Sequence, residues 1–298
     1  MDICLNRTQT ITKDWLMQTG LEDEALLLEA LLRRGFLAFR DSQRLWLGSG
    51  SHRADLRVLR LIDGLEINAV TGDPDKDAAV CIQSGAESRV KDIATEIIGL
   101  GEHHMDDVSG GFTSTGVAPH LPGTWAKYRQ MVWGAKLAVC PATSRRQAPV
   151  NEALDLGIAL LVKVLPLARV ATSLSCDGHG KGPAFISLHF PWDTPWSEAI
   201  FQTLQPQTPN STWLWKDAAL TVEPKAGFGE REVLGMLNDI QSFARRLLNR
   251  EVIFNIGNAR ARTIATLGAD PPSVEAFAEL ARDELTQAFS KSSRPASR

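Results

Sequence analysis

Thr172-Ser-Leu-Ser-Cys-Asp-Gly-His-Gly-Lys-Gly-Pro-Ala-Phe-Ile-Ser-Leu188 sets two strand-like runs around a turn with three glycines. Arg169 to Cys176 and Ala184 to Phe190 read as the arms of an antiparallel hairpin, because Gly178, Gly180 and Gly182 let the backbone reverse. With Asp177 facing Pro183, Cys176 opposes Ala184, Leu174 opposes Ile186, Thr172 opposes Leu188 and Val170 opposes Phe190. Period-two alternation then places Cys176 on the apolar face and Arg169, Ser173, Ser175, Ser187 and His189 on the other. In that register Cys176 is a small buried residue; a one-residue shift or bulge instead turns its thiol into the cleft. His189 falls opposite Ala171, on the order of 15 Å along the strand from the turn. It therefore shares no metal site with Cys176 and His179.

On either side of this hairpin, helical and strand-like segments follow without regular alternation, so the fold is read as α+β rather than doubly wound. Residues 21–34 predict a helix with Glu22, Asp23 and Glu24 in its first turn, Arg33 and Arg34 in its last, and Gly35 as the stop. Phe36 to Arg40 and Leu45 to Leu47 predict a hairpin around residues 41–44. Leu56 to Ile62 and Leu65 to Val70 predict another around Asp63-Gly64, with a helical first arm as the competing reading. Ala79 to Gln83 reads as a strand and Glu87 to Ile98 as a helix. Trp125 to Lys136 reads as a helix and Leu137 to Cys140 as a strand. Asn151 caps a helix with the stripe Leu154, Ile158, Leu161 and Leu165, ended by Pro166. Pro195 to Leu204 suggests a short helix, and Thr212 to Trp215 with Ala218 to Val222 a hairpin. Val233, Leu237, Ile240, Ala244 and Leu247 form an apolar stripe over about 230–249. Helices over Ala259 to Leu267 and from Val274, behind Ser273, complete the expected architecture: mixed or antiparallel sheets with several hairpins and a helical C-terminal segment. No internal repeat is evident.

The 298 residues are 44% hydrophobic and 22% charged, the composition of a soluble globular protein. No apolar run reaches the ~18–20 residues that cross a bilayer, and the first residues lack a signal-like basic and apolar pattern. Cys4, Cys81, Cys140 and Cys176 are too scattered for a disulfide framework, which fits a reducing cytoplasm and no membrane partner. The net charge of −3 is unevenly spread. Residues 1–110 carry 12 Lys/Arg against 19 Asp/Glu, and the remainder 20 against 16. The chain divides into an acidic α+β region at 1–108, a Gly-, Ser-, Thr- and Pro-rich linker or mobile loop at 109–123, a basic-leaning α+β region at 124–290 and a disordered tail at 291–298.

The turn concentrates the chemistry. A thiol, a carboxylate, an imidazole and an ammonium group fall within Cys176 to Lys181. If the protein is an enzyme, His179 is the acid/base, Asp177 its orienter or a second acid/base, Lys181 with the turn amides the anion binder, and Cys176 a secondary nucleophile or ligand. Cys176-x-x-His179 is half a zinc pair, to which only the fold can bring a second half such as Cys140 or His120. A second cluster, Glu102, His103, His104 and Asp106, has ligand chemistry for zinc, iron or manganese, without HExxH-type spacing. Ala226-Gly-Phe-Gly229 reads as a structural turn into a helix, since Glu230 and Glu232 repel phosphate there.

Thr172, Ser175, Cys176 and Gly178 form a Thr-x-x-Ser-Cys-x-Gly core that resembles a short segment of the tRNA wybutosine-synthesising methyltransferase family. In that family Arg follows the Ser-Cys-x-Gly turn, where this chain has His179. The resemblance covers fewer than a dozen of the 298 residues. It implies a catalytic or RNA-proximal hairpin and use of S-adenosylmethionine; the sequence specifies no other cofactor.

Lys181 to Leu188 also partly fits the RNA-recognition strand pattern, with Phe185 placed to stack a base and Ser175 beside it; Pro183 and Leu188 replace two of its aromatics. Arg245, Arg246, Arg250, Arg260 and Arg262 are the densest basic set and the candidates for phosphate-backbone contact. Trp192, Trp196, Trp213 and Trp215 suit base stacking or, more ordinarily, cores and interfaces. The lack of a complete catalytic signature favours a non-catalytic binding or assembly subunit of a cytosolic complex. It would meet a protein partner or a second copy and contact nucleic acid through its C-terminal half. The alternative is an enzyme with an active-site turn at 175–182 acting on a nucleotide or RNA.

Overall fold

The computed structural model describes residues 7–41, 44–48, 56, 58–69, 76–100, 125–126, 128–129 and 154–292. Glu102, His103, His104, Asp106, His120, Cys140, Asn151, the 109–123 stretch, the strand expected at 137–140 and the tail beyond 292 lie outside them.

The architecture is α+β; the described residues form eight α-helices and two four-stranded antiparallel sheets. Helix α1 (Arg7–Gln18) and helix α2 (Asp23–Arg33) precede β1 (Ala38–Arg40), β2 (Leu45–Gly48), β3 (Leu65–Ala69) and β4 (Lys76–Ile82). Helix α3 (Val90–Gly99) follows, then α4 (Ala159–Val164), β5 (Thr172–Cys176), β6 (Ala184–Leu188), α5 (Asp193–Leu204), β7 (Ser211–Lys216) and β8 (Ala219–Pro224). Helices α6 (Glu230–Leu247), α7 (Arg250–Leu267) and α8 (Val274–Ser292) complete the helical C-terminal segment.

The sheets run β1-β2-β4-β3 and β5-β6-β8-β7. In both, the third strand lies at the edge beside the fourth, and a helical segment joins the two hairpins. The duplication is one of topology, which explains why the sequence shows no repeat. Buried side chains from both sides of the 109–123 stretch share one core.

Two local expectations are corrected. Leu56 to Ile62 does not form a hairpin arm with β3, because the described residues there make helical turns, with Arg60 N–H on Leu56 O at 3.2 Å. Val58, Leu59 and Ile62 are buried at helical spacing. Gly64, at φ 87°, turns this helical segment into β3, whose hairpin partner is β4. The helix expected from Asn151 starts only at Ala159, after turns at 154–158 that leave Asp155 outside regular structure.

Helix α6 packs on β7 and β8, while α7 and α8 pack against each other and α8 against α5. The expected stripe of α6 is buried throughout, each such side chain contributing roughly 1.5–3 kcal/mol on leaving water. The helix expected at 259–267 begins at Arg250, because Asn249 Oδ1 accepts the Glu251 and Val252 N–H groups as an N-cap.

Candidate functional site

The hairpin β5–β6 forms, but with a changed register. Thr172 opposes Leu188 as expected, whereas Leu174 opposes Ser187, Ser175 opposes Ile186 and Cys176 opposes Phe185, with a bulge between Thr172 and Leu174. The slip has a steric cause. Thr172 and Asp177 are both buried and lie five residues apart, an odd spacing that strict alternation cannot satisfy. One extra residue resolves the conflict. Leu174 becomes 43% exposed, and Cys176 moves out of the apolar interior into a half-buried position.

Beyond Cys176 the chain makes a tight turn. Gly178 and His179 both have positive φ, 73° and 51°. A Cβ at Gly178 would sit 2.7 Å from Pro183 O, so this position requires glycine. His179 accepts the left-handed conformation because its N–H donates to Asp177 Oδ1 at 2.8 Å.

Four side chains meet at this turn: Asp155, Cys176, Asp177 and His179 each bring a ligand-type atom to within 4.8 Å of the others. Cys176 Sγ lies 3.4 Å from His179 Nε2, and His179 Nδ1 lies 3.8 Å from Asp177 Oδ1. Asp177 N–H donates to Asp155 Oδ2 at 3.1 Å, and Gly157 N–H donates to Asp177 Oδ2 at 3.2 Å. Asp177 is fully buried, yet among the described residues neither it nor Asp155 is paired with a Lys or Arg.

Like charges crowd the site. Burial, then the Asp155 carboxylate, raises the Asp177 carboxyl above its ordinary range against the hydrogen bonds from His179 and Gly157. Burial, then Asp155 and Asp177, pushes the Cys176 thiol up to about 11, against the Gly178 N–H that reaches Sγ at 3.3 Å.

More distant elements hold the four in place. Arg34, buried at the end of α2, donates to Leu154 O at 2.7 Å and fixes the segment that carries Asp155. Gly157 lets this segment approach the turn, since a Cβ there would meet Leu237 Cδ2 at 2.6 Å and Asp177 Oδ2 at 3.0 Å. Arg7 Nη1 donates to Gly180 O at 3.0 Å and Phe228 O at 3.1 Å, tying α1 to the turn and to the loop before α6.

The expected anion nest does not form. Gly178 N–H is used by Cys176 Sγ, His179 N–H by Asp177, and the Lys181 and Gly182 N–H groups by Gly178 O at 2.9 and 3.0 Å. Lys181 is exposed; Ser175 and Phe185 are half-buried on opposite faces of the hairpin. His189 stays apart, its N–H donating to Ala171 O as the sequence predicts.

The arginines do not make one basic patch. Arg260 is fully buried, with its guanidinium carbon 4.0, 4.5 and 4.9 Å from the ring centres of Tyr128, Trp196 and Phe277. As one of the densest basic set it is expected to contact phosphate, but it lies on the core face of α7. Arg245 pairs with Glu29, and Arg262 pairs with Glu284; Arg246 and Arg250 are exposed. Trp192 and Trp196 are buried, and Trp213 and Trp215 pack with Phe201 on the core side of the sheet.

Sequence reasoning missed Asp155 and Gly157. Asp155 to Gly157 falls inside the helix expected from Asn151, although an isolated glycine within a helical pattern weakens that reading. Comparison with family models, with curated proteins and with solved structures finds no match for this chain.

Proposed function

We propose that this chain is a non-catalytic binding protein whose working site is the Cys176–Lys181 turn together with Asp155, and that the site accepts a cation. One observation carries this reading. The Gly178, His179, Lys181 and Gly182 N–H donors are spent inside the turn, while two carboxylates, a sulfur and an imidazole converge and, among the described residues, neither carboxylate is paired with a Lys or Arg. Such a site offers electron pairs and negative charge, which suits a positive ligand and repels a phosphate. The nucleic-acid reading loses support for the same reason, and because Arg245, Arg260 and Arg262 are engaged within the chain.

The Cys176–His179–Asp177 array also has the order of a thiol enzyme's nucleophile, base and orienter, at 3.4 and 3.8 Å. That second reading needs donors for a developing oxyanion, and the four turn N–H groups that would supply them are occupied.

Native mass spectrometry tests the proposal. The chain is stripped with a chelator and offered Zn2+, Mn2+, Ca2+ or Mg2+ in turn. One bound cation per chain, lost in the Asp177→Asn variant, is the expected result. Unchanged masses with every cation would overturn it.

A further inference from the structure

The four donors differ in chemistry, and that difference selects among cations. Thiolate and imidazole ligands favour zinc and its d-block neighbours, whereas Ca2+ and Mg2+ take oxygen ligands in larger numbers. The spacing agrees. A Zn–S distance of ~2.3 Å and a Zn–N distance of ~2.0–2.1 Å at a tetrahedral angle place sulfur and nitrogen about 3.6 Å apart. Cys176 Sγ and His179 Nε2 are already 3.4 Å apart. The remaining separations, all within 4.8 Å, exceed the corresponding tetrahedral edges by at most about 1.5 Å. Rotation of the partly exposed His179 and Asp155 side chains closes that gap.

We infer that Asp155, Cys176, Asp177 and His179 form a closed, four-ligand site for a divalent ion of the zinc class. The inference rests on the cation-binding reading above and names its ligand. Asp177 contributes the buried carboxylate, positioned by the Gly157 and His179 N–H groups. These act as the outer-shell donors that metal-binding carboxylates use. Cys176 binds as thiolate, releasing its proton to solvent as the metal enters. Asp155 comes from a separate segment, so the ion joins the turn before α4 to the β5–β6 hairpin. With four protein ligands no position is left for a reacting water, which is the arrangement of structural rather than catalytic zinc.

Co2+ substitution supplies the test. The stripped 298-residue chain is titrated with Co2+ while its absorption is followed, and with Zn2+ in competition with a chromophoric chelator. Expected are one ion per chain, the intense ultraviolet charge-transfer band of a cobalt–thiolate bond, and tetrahedral visible bands. Cys176→Ser abolishes the thiolate band. Asp155→Asn weakens Zn2+ binding by at least the roughly 10–100-fold that loss of an outer-shell partner costs. The wild-type cobalt spectrum decides the ligand set even where a variant folds poorly. A bound cation without the thiolate band, or Ca2+ binding as tightly as Zn2+, overturns this inference and leaves the cation-binding proposal standing. Binding of no cation at all overturns both.

Discussion

Asp155 and Asp177 are joined by a hydrogen bond from the backbone N–H of Asp177 to Asp155 Oδ2 at 3.1 Å, across 22 residues of chain. Two acidic side chains are thereby held at one turn, one of them fully buried. Carboxylates in such proximity repel each other, and the surrounding N–H donors hold them there.

Gly157 is central to that arrangement. Gly157→Ala places a methyl group 2.6 Å from Leu237 Cδ2 and 3.0 Å from Asp177 Oδ2, so the segment must withdraw. The expected outcome is a loss of about 1–3 kcal/mol in urea unfolding, as for other overpacked sites, with weakened Zn2+ binding in the chelator competition. Binding equal to wild type would show that the segment before α4 does not position the site.

His179 should behave differently from an ordinary structural residue. Its left-handed backbone, φ 51°, costs roughly 1–2 kcal/mol that glycine would not incur, while glycine costs roughly 0.5–1 kcal/mol in unfolded-chain entropy. His179→Gly is therefore expected to leave the unfolding free energy of the metal-free chain within about 1 kcal/mol of wild type. Its cation affinity should fall. A large loss of stability would make His179 a packing residue.

Thiol chemistry gives a pH-dependent readout. In the metal-free chain, alkylation of Cys176 by iodoacetamide should still be rising at pH 9 and reach half its plateau near the thiol's value of about 11. Asp155→Asn removes a nearby negative charge and so favours the thiolate. The profile should move down toward the ordinary cysteine value of ~8.5. Peptide mass spectrometry across the pH series would reveal the opposite shift if Asp155 does not act on the sulfur.

Arg260 and Asp193 form another buried charge system. Their closest atoms are 3.8 Å apart, both side chains are nearly inaccessible, and burial pushes Asp193 well above and Arg260 well below their usual values. Asp193 Oδ2 also accepts the Ala171 and Phe190 N–H groups, linking α5 to the strand region ahead of it. Removing one partner of a buried pair costs about 3–5 kcal/mol, whereas replacing both can be nearly neutral. Arg260→Met alone should show the larger loss, and Arg260→Met with Asp193→Asn should recover most of it. Additive losses in a double-mutant cycle measured by denaturant unfolding would show the two to be independent.

Periodicity and turn chemistry determined much of this protein. The acidic start and basic end of α2, the Asp41–Arg44 turn between β1 and β2, the stripe of α6 and the hairpin β7–β8 all follow from residues close in sequence. The choice of Cys176, Asp177 and His179 is equally local, since one glycine-loosened turn presents them. What tertiary structure decided was the partner of each element and the direction of each side chain. Gly64 led β3 to β4 rather than to the preceding segment because Leu59 and Ile62 gain more by burial on a helical turn. Arg260 entered an aromatic core that no nearby residue announces. The bulge after Thr172 and the approach of Asp155 depend on burying Asp177 against a segment 22 residues away. Contacts of that range carry no period in the sequence, since they arise from packing once the sheets and helices have formed.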